Sequence, residues 1–500
     1  MAGSVKNFIL VFLTILIFVN KIFAQEYSPK REFRGAWIAT VGNIDWPSSR
    51  TASAYEQIAD LKSQIEKLHE AGINVVIFQV RAECDAFYKS SIEPWSYWLT
   101  GKQGKAPEPF YDPLKTAVEE AHSRGMELHA WFNPYRALRT SDAYKVDSKH
   151  ITKKHPEWIL TFGKYKMLNP GIPAVKNYIT SVVAEVVRNY DIDGVHFDDY
   201  FYTSSPKINR QDKSAYSMFG SGYVNIDDWR RHNINSMIAQ VYDSIKAIKP
   251  FVKFGISPFG IVQNHYAGTR GMDSYSIIYS DPLTWIKDKT IDYIIPQLYW
   301  EIGKPAADYD RLLKWWASVC QNIQLYIGLY SSKFMDSEWK DLSEIGRQVR
   351  LNRKLPNVSG SVFFSSRTIT RNLNGLADSL KCSLFRFPAL VPLIPANENQ
   401  VPNPPSNLRY DIYGSDIMLS WDIPQNTSAG DSAVRYIIYR FDKSEQPDLS
   451  KASSIFLITV NNFAVIKHED FYSENGYQFF VTSLTRMQNE SNSSAGITSK

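Results

Sequence analysis

The 500-residue chain is 44% hydrophobic, 14% aromatic and 21% charged, which is enough apolar material for a full core and excludes a disordered or collagen-like array. A net charge of +5 over this length is too weak to argue for a nucleic-acid partner. Thirteen Trp, 29 Tyr and 27 Phe supply more rings than a core usually needs, and sugars are one ligand class that stacks on such rings.

At the N-terminus, Lys6 precedes the apolar run Phe8 to Val19, and the small Ala24 stands before Gln25, where a secretory cleavage site prefers such a residue. The run is shorter than the roughly 20 apolar residues a spanning helix needs. Residues 1–24 are therefore expected to be a cleaved signal peptide, with no transmembrane segment afterwards and an exported, periplasmic or extracellular, destination. Cys84, Cys320 and Cys382 are odd in number and widely spaced, so neither a disulfide framework nor metal-type spacing exists, and no Cys stands at the cleavage site to carry lipid.

Strand and helix signals then alternate. Apolar runs at Phe33 to Val41, Ile73 to Val80, Met126 to Phe132, Asp193 to Asp198, Lys253 to Ser257, Tyr293 to Tyr299, Leu325 to Tyr330 and Ser361 to Phe364 predict eight strands. Helical periodicity predicts helices over Ala54 to Ala71, Pro113 to Arg124, Ala174 to Tyr190, Ile226 to Ile248, Pro282 to Lys287, Ala307 to Cys320, Leu342 to Arg353 and Ile369 to Leu380. Eight strands each followed by a helix is the count for an α/β fold of the (β/α)8 TIM-barrel type over residues 30–385. A doubly wound open sheet fits less well, because no glycine-rich phosphate loop follows any strand. Prolines crowd residues 386–405, a stiff linker. Short alternating runs after it, such as Ile417 to Trp421, Arg435 to Tyr439, Ile455 to Val460 and Tyr477 to Leu484, predict a small all-β sandwich over residues 406–500. Pro405-Ser-Asn-Leu408, Trp421 and Tyr477 resemble a fibronectin type III module.

In a barrel, function sits at the carboxyl ends of the strands. On the fourth strand, apolar Val195 and Phe197 suit the layer under the helices, which turns His196 and Asp198 toward the axis, with Tyr200 and Tyr202 beyond. On the second, Gln79, Arg81 and Glu83 share a face and climb toward the mouth, so a cation and a carboxylate are expected to face Asp198. The third strand places His129, Trp131 and Asn133 on one side, followed by Tyr135 and Arg136, and the sixth does the same with Gln297, Tyr299 and Glu301, next to Trp300. Trp37 ends the first strand, with Asp45 and Trp46 in the loop after it. Structural roles compete with each of these: Asp199 suits a helix N-cap, Arg81 and Glu83 a rim ion pair, Trp37 and Trp131 barrel packing, His129 a hydrogen-bonded barrel histidine, and Glu301 a solvated acid.

Glycoside hydrolysis needs two carboxyl groups, one protonated to assist the leaving oxygen and one ionised, in a cleft of rings and hydrogen bonders. Asp198 with Glu83 as the main pair, or with Glu301, supplies these; Asp199 is a further catalytic candidate, though alternation points it elsewhere unless the strand has already ended, and ionised Asp198 beside Arg81 is expected to have its pKa lowered. No Gly-x-Ser-x-Gly elbow, His-x-His or His-Glu-x-x-His pattern, dinucleotide loop or P-loop is present, so no cofactor or metal is expected.

The runs Glu32 to Pro47, Asn74 to Tyr88, His129 to Arg136, Gly194 to Tyr202 and Pro296 to Trp300 together resemble glycosyl hydrolase-like family 10. Its members are exported bacterial barrel proteins, one branch holding an enterobacterial divisome-associated enzyme that cuts peptidoglycan strands stripped of stem peptides. The resemblance implies a glycosidase with Asp198 as a catalytic carboxylate. Asp193 to Asp198 also resembles the strand of chitinase-like enzymes, in which the substrate's acetamido group is the nucleophile, but Tyr200 stands where their acid would be and His196 replaces their first inner Asp. The expected function is hydrolysis of a bacterial-envelope polysaccharide, peptidoglycan strands foremost, with the sandwich as a spacer or docking module. A hydrolase of plant or algal polysaccharide and a non-catalytic carbohydrate-binding barrel are the alternatives.

Overall fold

The computed structural model describes residues 27–334, 339, 341, 343–394, 401–425 and 432–499. The segment expected to be a signal peptide, residues 1–24, and the middle of the expected linker lie outside the described residues. Eight parallel strands close into a barrel: β1 (Phe33–Ile38), β2 (Val75–Arg81), β3 (Glu127–Phe132), β4 (Gly194–Phe197), β5 (Lys253–Ile256), β6 (Tyr293–Ile294), β7 (Gln324–Leu329) and β8 (Val358–Phe363). Each pairs with its sequence neighbour, and β8 closes on β1 with Phe33 opposite Gly360.

The helices sit where periodicity places them, as at α1 (Ala54–Glu70), α2 (Pro113–Ser123), α3 (Pro173–Asn189) and α4 (Ile226–Ile248), and local chemistry sets their ends. Ser53 and Glu56 form a reciprocal capping box at the start of α1, while Asp112 caps α2 ahead of Pro113. Two expected elements differ. The sixth strand shortens to Tyr293–Ile294, because Pro296 has no N–H to continue the ladder, and the chain rejoins its neighbours through isolated bridges at Gln297. The helix expected over Ile369 to Leu380 breaks after Thr370, where Asn372, Asn374 and Gly375 take left-handed backbone.

Strand alternation separates two packing layers. Val76, Phe78, Val80, Val195 and Phe197 face outward into the strand–helix core, while Phe33, Trp37, Val75, Ile77, Trp131, Tyr293 and Tyr326 fill the barrel interior. A column of polar groups runs through that interior. The Lys253 ammonium donates to both oxygens of Glu127 at 2.6 and 2.8 Å; Glu127 pairs with His129 at 3.0 Å, and His129 with the Tyr293 hydroxyl at 2.8 Å.

An insertion between β3 and α3 was not foreseen: Arg136–Leu138, Ile159–Phe162 and Tyr165–Leu168 form a three-stranded antiparallel sheet. Its tight turn at Gly163-Lys164, with Gly163 at φ 59°, is the signal that could have revealed it. Beyond the barrel, seven antiparallel strands form a three-stranded and a four-stranded sheet around Trp421, Tyr436 and Phe479. This unit docks on the amino ends of the barrel strands: Gln488 Nε2 donates to Glu127 at 2.6 Å, Arg435 to Met126 O at 3.2 Å, and Arg486 approaches Asp193 at 3.5 Å.

The barrel interior has no room to spare beside β5, where a Cβ added to Gly255 would lie 2.1 Å from the Tyr293 ring. Gly255→Ala is expected to lower stability by about 1–3 kcal/mol in denaturant unfolding; an unchanged midpoint would show that Tyr293 repacks freely.

Candidate active site

The carboxyl ends of the strands surround a cavity of about 470 Å3. Its lining includes Trp37, Trp131, Arg136, Asp198, Asp199 and Tyr200, and across from them Gln297 and Tyr299. Asp198 and Asp199 are the carboxylates of that lining.

Asp198 is held by a dense set of donors. Trp131 Nε1 donates to Oδ2 at 3.2 Å, Asn133 Nδ2 donates to the same oxygen, and the Tyr200 amide donates to Oδ1 at 3.3 Å. Burial pushes its carboxyl up to about 6, against the opposing pull of the Arg136 guanidinium and these hydrogen bonds. Asp199 follows directly. Burial and then the neighbouring charge of Asp198 push it to about 7, with a hydrogen bond from Gln297 pulling the other way. Both carboxyls are raised by burial and titrate as one pair, and the donors from Trp131, Asn133 and the Tyr200 amide favour the charge on Asp198 and the proton on Asp199. Arg136 lies over the Tyr200 ring at 4.4 Å, which presents a half-exposed aromatic face at the mouth.

Beneath the pair, His196 faces the axis. Trp37 Nε1 donates to its Nε2 at 3.2 Å, Ser257 Oγ lies 3.1 Å from the same nitrogen, and the Tyr293 hydroxyl lies 3.2 Å from Nδ1. Burial holds its pKa well below the usual value, so it is a neutral support for the floor. Gln79 Oε1 accepts from the amides of Thr40 and Val41, both at 2.9 Å, while its buried Nε2 has no partner and borders the cavity, a donor available to a sugar hydroxyl.

Several expected positions are different. Arg81 does not face Asp198: the β2–β3 pairing shifts register between Gln79 and Arg81, and this irregularity turns the guanidinium onto Glu93. Arg81 Nη2 lies 2.7 Å from Glu93 Oε1, Nη1 donates to Asn133 O at 2.6 Å, and both side chains are buried. Arg136 takes the place expected of Arg81, and Asp198 is raised rather than lowered because burial outweighs the cation.

Glu83 lies outside the lining, its oxygens accepting from Trp98 Nε1 at 2.7 Å and from the Arg139 amide, so it fixes the loop that carries Arg139 to the cavity wall. Glu301 also lies outside, on the loop leading to Tyr309–Val319, with its carbonyl accepting from Lys304 N at 3.3 Å. Asp199 caps no helix, since Lys213–Phe219 is the next one. Trp46, Tyr135 and Tyr202 are buried in the strand–helix core, and Trp300 packs against that core. Asp45 accepts from Ala39 N at 2.8 Å and Ser365 Oγ at 2.6 Å, tying the β1 loop to the end of β8.

Arg139, Tyr165, Ser257, Phe259, Tyr330 and Phe364 also line the cavity without having been singled out. Ser257, Tyr330 and Phe364 each follow a barrel strand directly, a position that would have flagged them; Arg139 and Tyr165 come from the insertion, to which periodicity gave no clue. Among the described residues, no group of three or more His, Cys, Asp and Glu is arranged to hold a metal ion.

A family profile described as glycosyl hydrolase-like 10 matches residues 32–341. The chain belongs to this family. It is 40% identical over 504 residues to the glycosyl hydrolase YngK of Bacillus subtilis, covering 97% of each chain. It is also 40% identical over 374 residues to the glycosyl hydrolase DigH of Escherichia coli K12, covering 68% of this chain and 84% of that one. Among solved structures, the catalytic domain of a Paenibacillus polymyxa β-amylase aligns at 10% identity and a TM-score of 0.47, over 71% of this chain and 99% of that one. Family membership and the named relatives support a glycoside hydrolase acting on carbohydrate.

Two measurements check this geometry. Because Asp199 is raised above its unfolded value, it favours folding fully below about pH 4 and loses that contribution as pH rises through about 7. Asp199→Asn is therefore expected to melt higher than the parent at pH 8, with the gap closing toward pH 4; equal melting at both would show Asp199 to be unstrained. Glu93→Ala leaves the Arg81 charge buried and unpaired and is expected to cost about 3–5 kcal/mol in denaturant unfolding, whereas a cost near zero would place Arg81 in contact with water.

Proposed function

We propose that this protein is an exported glycoside hydrolase that cleaves glycosidic bonds in peptidoglycan strands, using Asp198 and Asp199 as its carboxyl pair. The observation that carries the reading is the pair itself: two buried, adjacent carboxyls, both raised by burial and unequally supplied with donors, in a ring-lined cavity at the mouth of the barrel. Asp198 serves as the ionised group beside the anomeric centre, and Asp199 as the proton donor to the leaving oxygen. Trp37, Trp131, Tyr200 and Tyr299 offer faces for pyranose rings, and Arg136, Gln79 and Gln297 offer donors to hydroxyls.

The resemblance to the branch acting on stripped glycan strands supports peptidoglycan as substrate, and the N-terminal pattern supports export to the periplasm or beyond. No helix among the described residues is long and apolar enough to cross a membrane. Seven antiparallel strands in two sheets around Trp421 support a fibronectin III-like module. Its seat on the floor, opposite the mouth, suits a spacer or docking role that leaves the cavity open.

Amidase-stripped peptidoglycan incubated with the full chain is expected to release glycan fragments, and Asp198→Asn and Asp199→Asn to lower that release by about 100-fold or more. Product from plant or algal chains alone would sink the envelope assignment, and undiminished release by both variants would move the centre away from β4. The rate is expected to be bell-shaped with its optimum near neutral pH, because burial raises both carboxyls, falling below as the aspartate pair takes its second proton and above as it loses its last. A rate that stays level from pH 5 to 9 would remove the two aspartates from the chemistry.

A further inference from the structure

We propose that Glu127, at the floor of the barrel, is a positioning residue for the cavity at its mouth: it sets the direction of a one-way chain of hydrogen bonds that fixes the Trp37 indole and the Ser257 hydroxyl, and Gln488 of the C-terminal unit holds the lower end. Glu127 takes no part in the chemistry and acts only through that chain. This rests on the reading of the cavity as a glycosidase site.

The lower end dictates the hydrogens upward. Lys253 and Gln488 both donate to Glu127 Oε1 at 2.6 Å, and Lys253 reaches Oε2 at 2.8 Å. Burial opposes ionisation of Glu127, but Lys253 and His129 hold its carboxyl down to about 2, so its two oxygens only accept. His129 Nε2, 3.0 Å from Oε2, therefore carries a hydrogen. A neutral imidazole has one N–H, which leaves His129 Nδ1 to accept from the Tyr293 hydroxyl at 2.8 Å. Having given its hydrogen to His129, the Tyr293 oxygen accepts from His196 Nδ1 at 3.2 Å, and His196 Nε2 is left bare.

The upper end gives the same answer independently. An indole N–H only donates, and the partner of Trp37 Nε1 at 3.2 Å is His196 Nε2, which must be bare for the contact to exist. The hydrogen of His196 is then on Nδ1, as the floor requires. Two ends made of groups that cannot change role thus agree on every hydrogen between them. Ser257 Oγ, 3.1 Å from the same bare nitrogen, turns its hydrogen down toward it and keeps its lone pairs for a sugar hydroxyl in the cavity that it lines.

Changing one atom at the floor reverses the chain. In Glu127→Gln the amide oxygen stays with the donors Lys253 and Gln488, and the amide nitrogen takes the place of Oε2 opposite His129 Nε2. That nitrogen must then accept, so the His129 hydrogen moves to Nδ1 and Tyr293 turns its hydroxyl to His196 Nδ1. His196 Nε2 now carries the hydrogen and faces the Trp37 N–H donor to donor. The indole loses the contact that holds it on the cavity floor, and Ser257 turns from acceptor to donor toward the substrate. From Glu127 to Trp37 and Ser257 no member is more than 2% exposed, so bulk water does not repair the mismatch.

Nitrogen NMR of the full chain carrying isotope-labelled histidine reads each hydrogen directly, because bare and protonated ring nitrogens resonate far apart; His129→Gln and His196→Gln assign the signals. Expected are a bare Nδ1 at His129 and a bare Nε2 at His196, the reverse of the form histidine prefers in water. Glu127→Gln is expected to exchange both patterns and to lower kcat on stripped strands by about tenfold. Trp37→Phe removes the upper donor and is expected to leave the His196 hydrogen on Nδ1, because the floor still dictates it. Adding Tyr293→Phe is expected to release that hydrogen to Nε2, and this pair of ring variants decides the matter where Glu127→Gln does not fold. A hydrogen on His196 Nε2 in the parent, or one that leaves Nδ1 in Trp37→Phe, would overturn the chain. Full kcat in a folded Glu127→Gln whose His196 has switched would overturn the positioning role. The expected nitrogens in a parent that cleaves no strand would support the chain and overturn the peptidoglycan assignment alone.

Discussion

Two buried carboxyl groups on consecutive residues cannot both be ionised cheaply, and the top of the barrel is arranged around that constraint. Each charge taken from water must be met by donors or by a cation, or the group keeps its proton. Asp198 receives Trp131, Asn133, the Tyr200 amide and the field of Arg136; Asp199 receives less and sits beside the charge of its neighbour. The asymmetry that separates an acid from an ionised partner is thus a matter of how many donors each oxygen finds. Apart from the Tyr200 amide, these groups come from β3, the residue after it and the insertion beyond, so the third strand and its hairpin sheet do as much to set the environment of the pair as the fourth strand that carries the aspartates.

The supports below are of the same kind. His196 is kept neutral by burial and ties Trp37, Ser257 and Tyr293 together. Through Tyr293 it meets the column of His129, Glu127 and Lys253, where burial opposes ionisation of Glu127 but Lys253 and His129 hold its carboxyl down to about 2. Gln488 of the C-terminal unit donates to that same Glu127. The two halves of the chain are therefore joined at a buried polar group on the floor, far from the mouth, which is the end of a barrel where packing rather than chemistry is decided.

Much of this was legible in the residues. Apolar alternation placed every barrel strand, and the outward set Val195 and Phe197 identified His196 and Asp198 as inward-facing. Trp37 and Trp131 meet Asp198 in the cavity through the period of two within their strands, and Arg136, Tyr200, Gln297 and Tyr299 because they stand in the segments that leave the strand ends. The reading failed where that period is broken. The irregularity at Gln79–Arg81 reassigns Arg81 to Glu93, and past the strand ends Trp46, Tyr135, Tyr202 and Trp300 turn into the strand–helix layer. Glu83 and Glu301 were chosen by the same alternation carried beyond the last paired residue.

The sequence by itself determined the alternation of strands and helices, the barrel, the all-β unit after it and the aspartate at the end of the fourth strand, because these follow from periodicities of two and 3.6 that a chain carries locally. Only the tertiary structure decided which carboxylate joins Asp198, which cation faces it and which way its proton affinity moves. Those depend on burial and on contacts between residues dozens of positions apart, such as Asn133 with Asp198 and Gln297 with Asp199, and no local pattern records them.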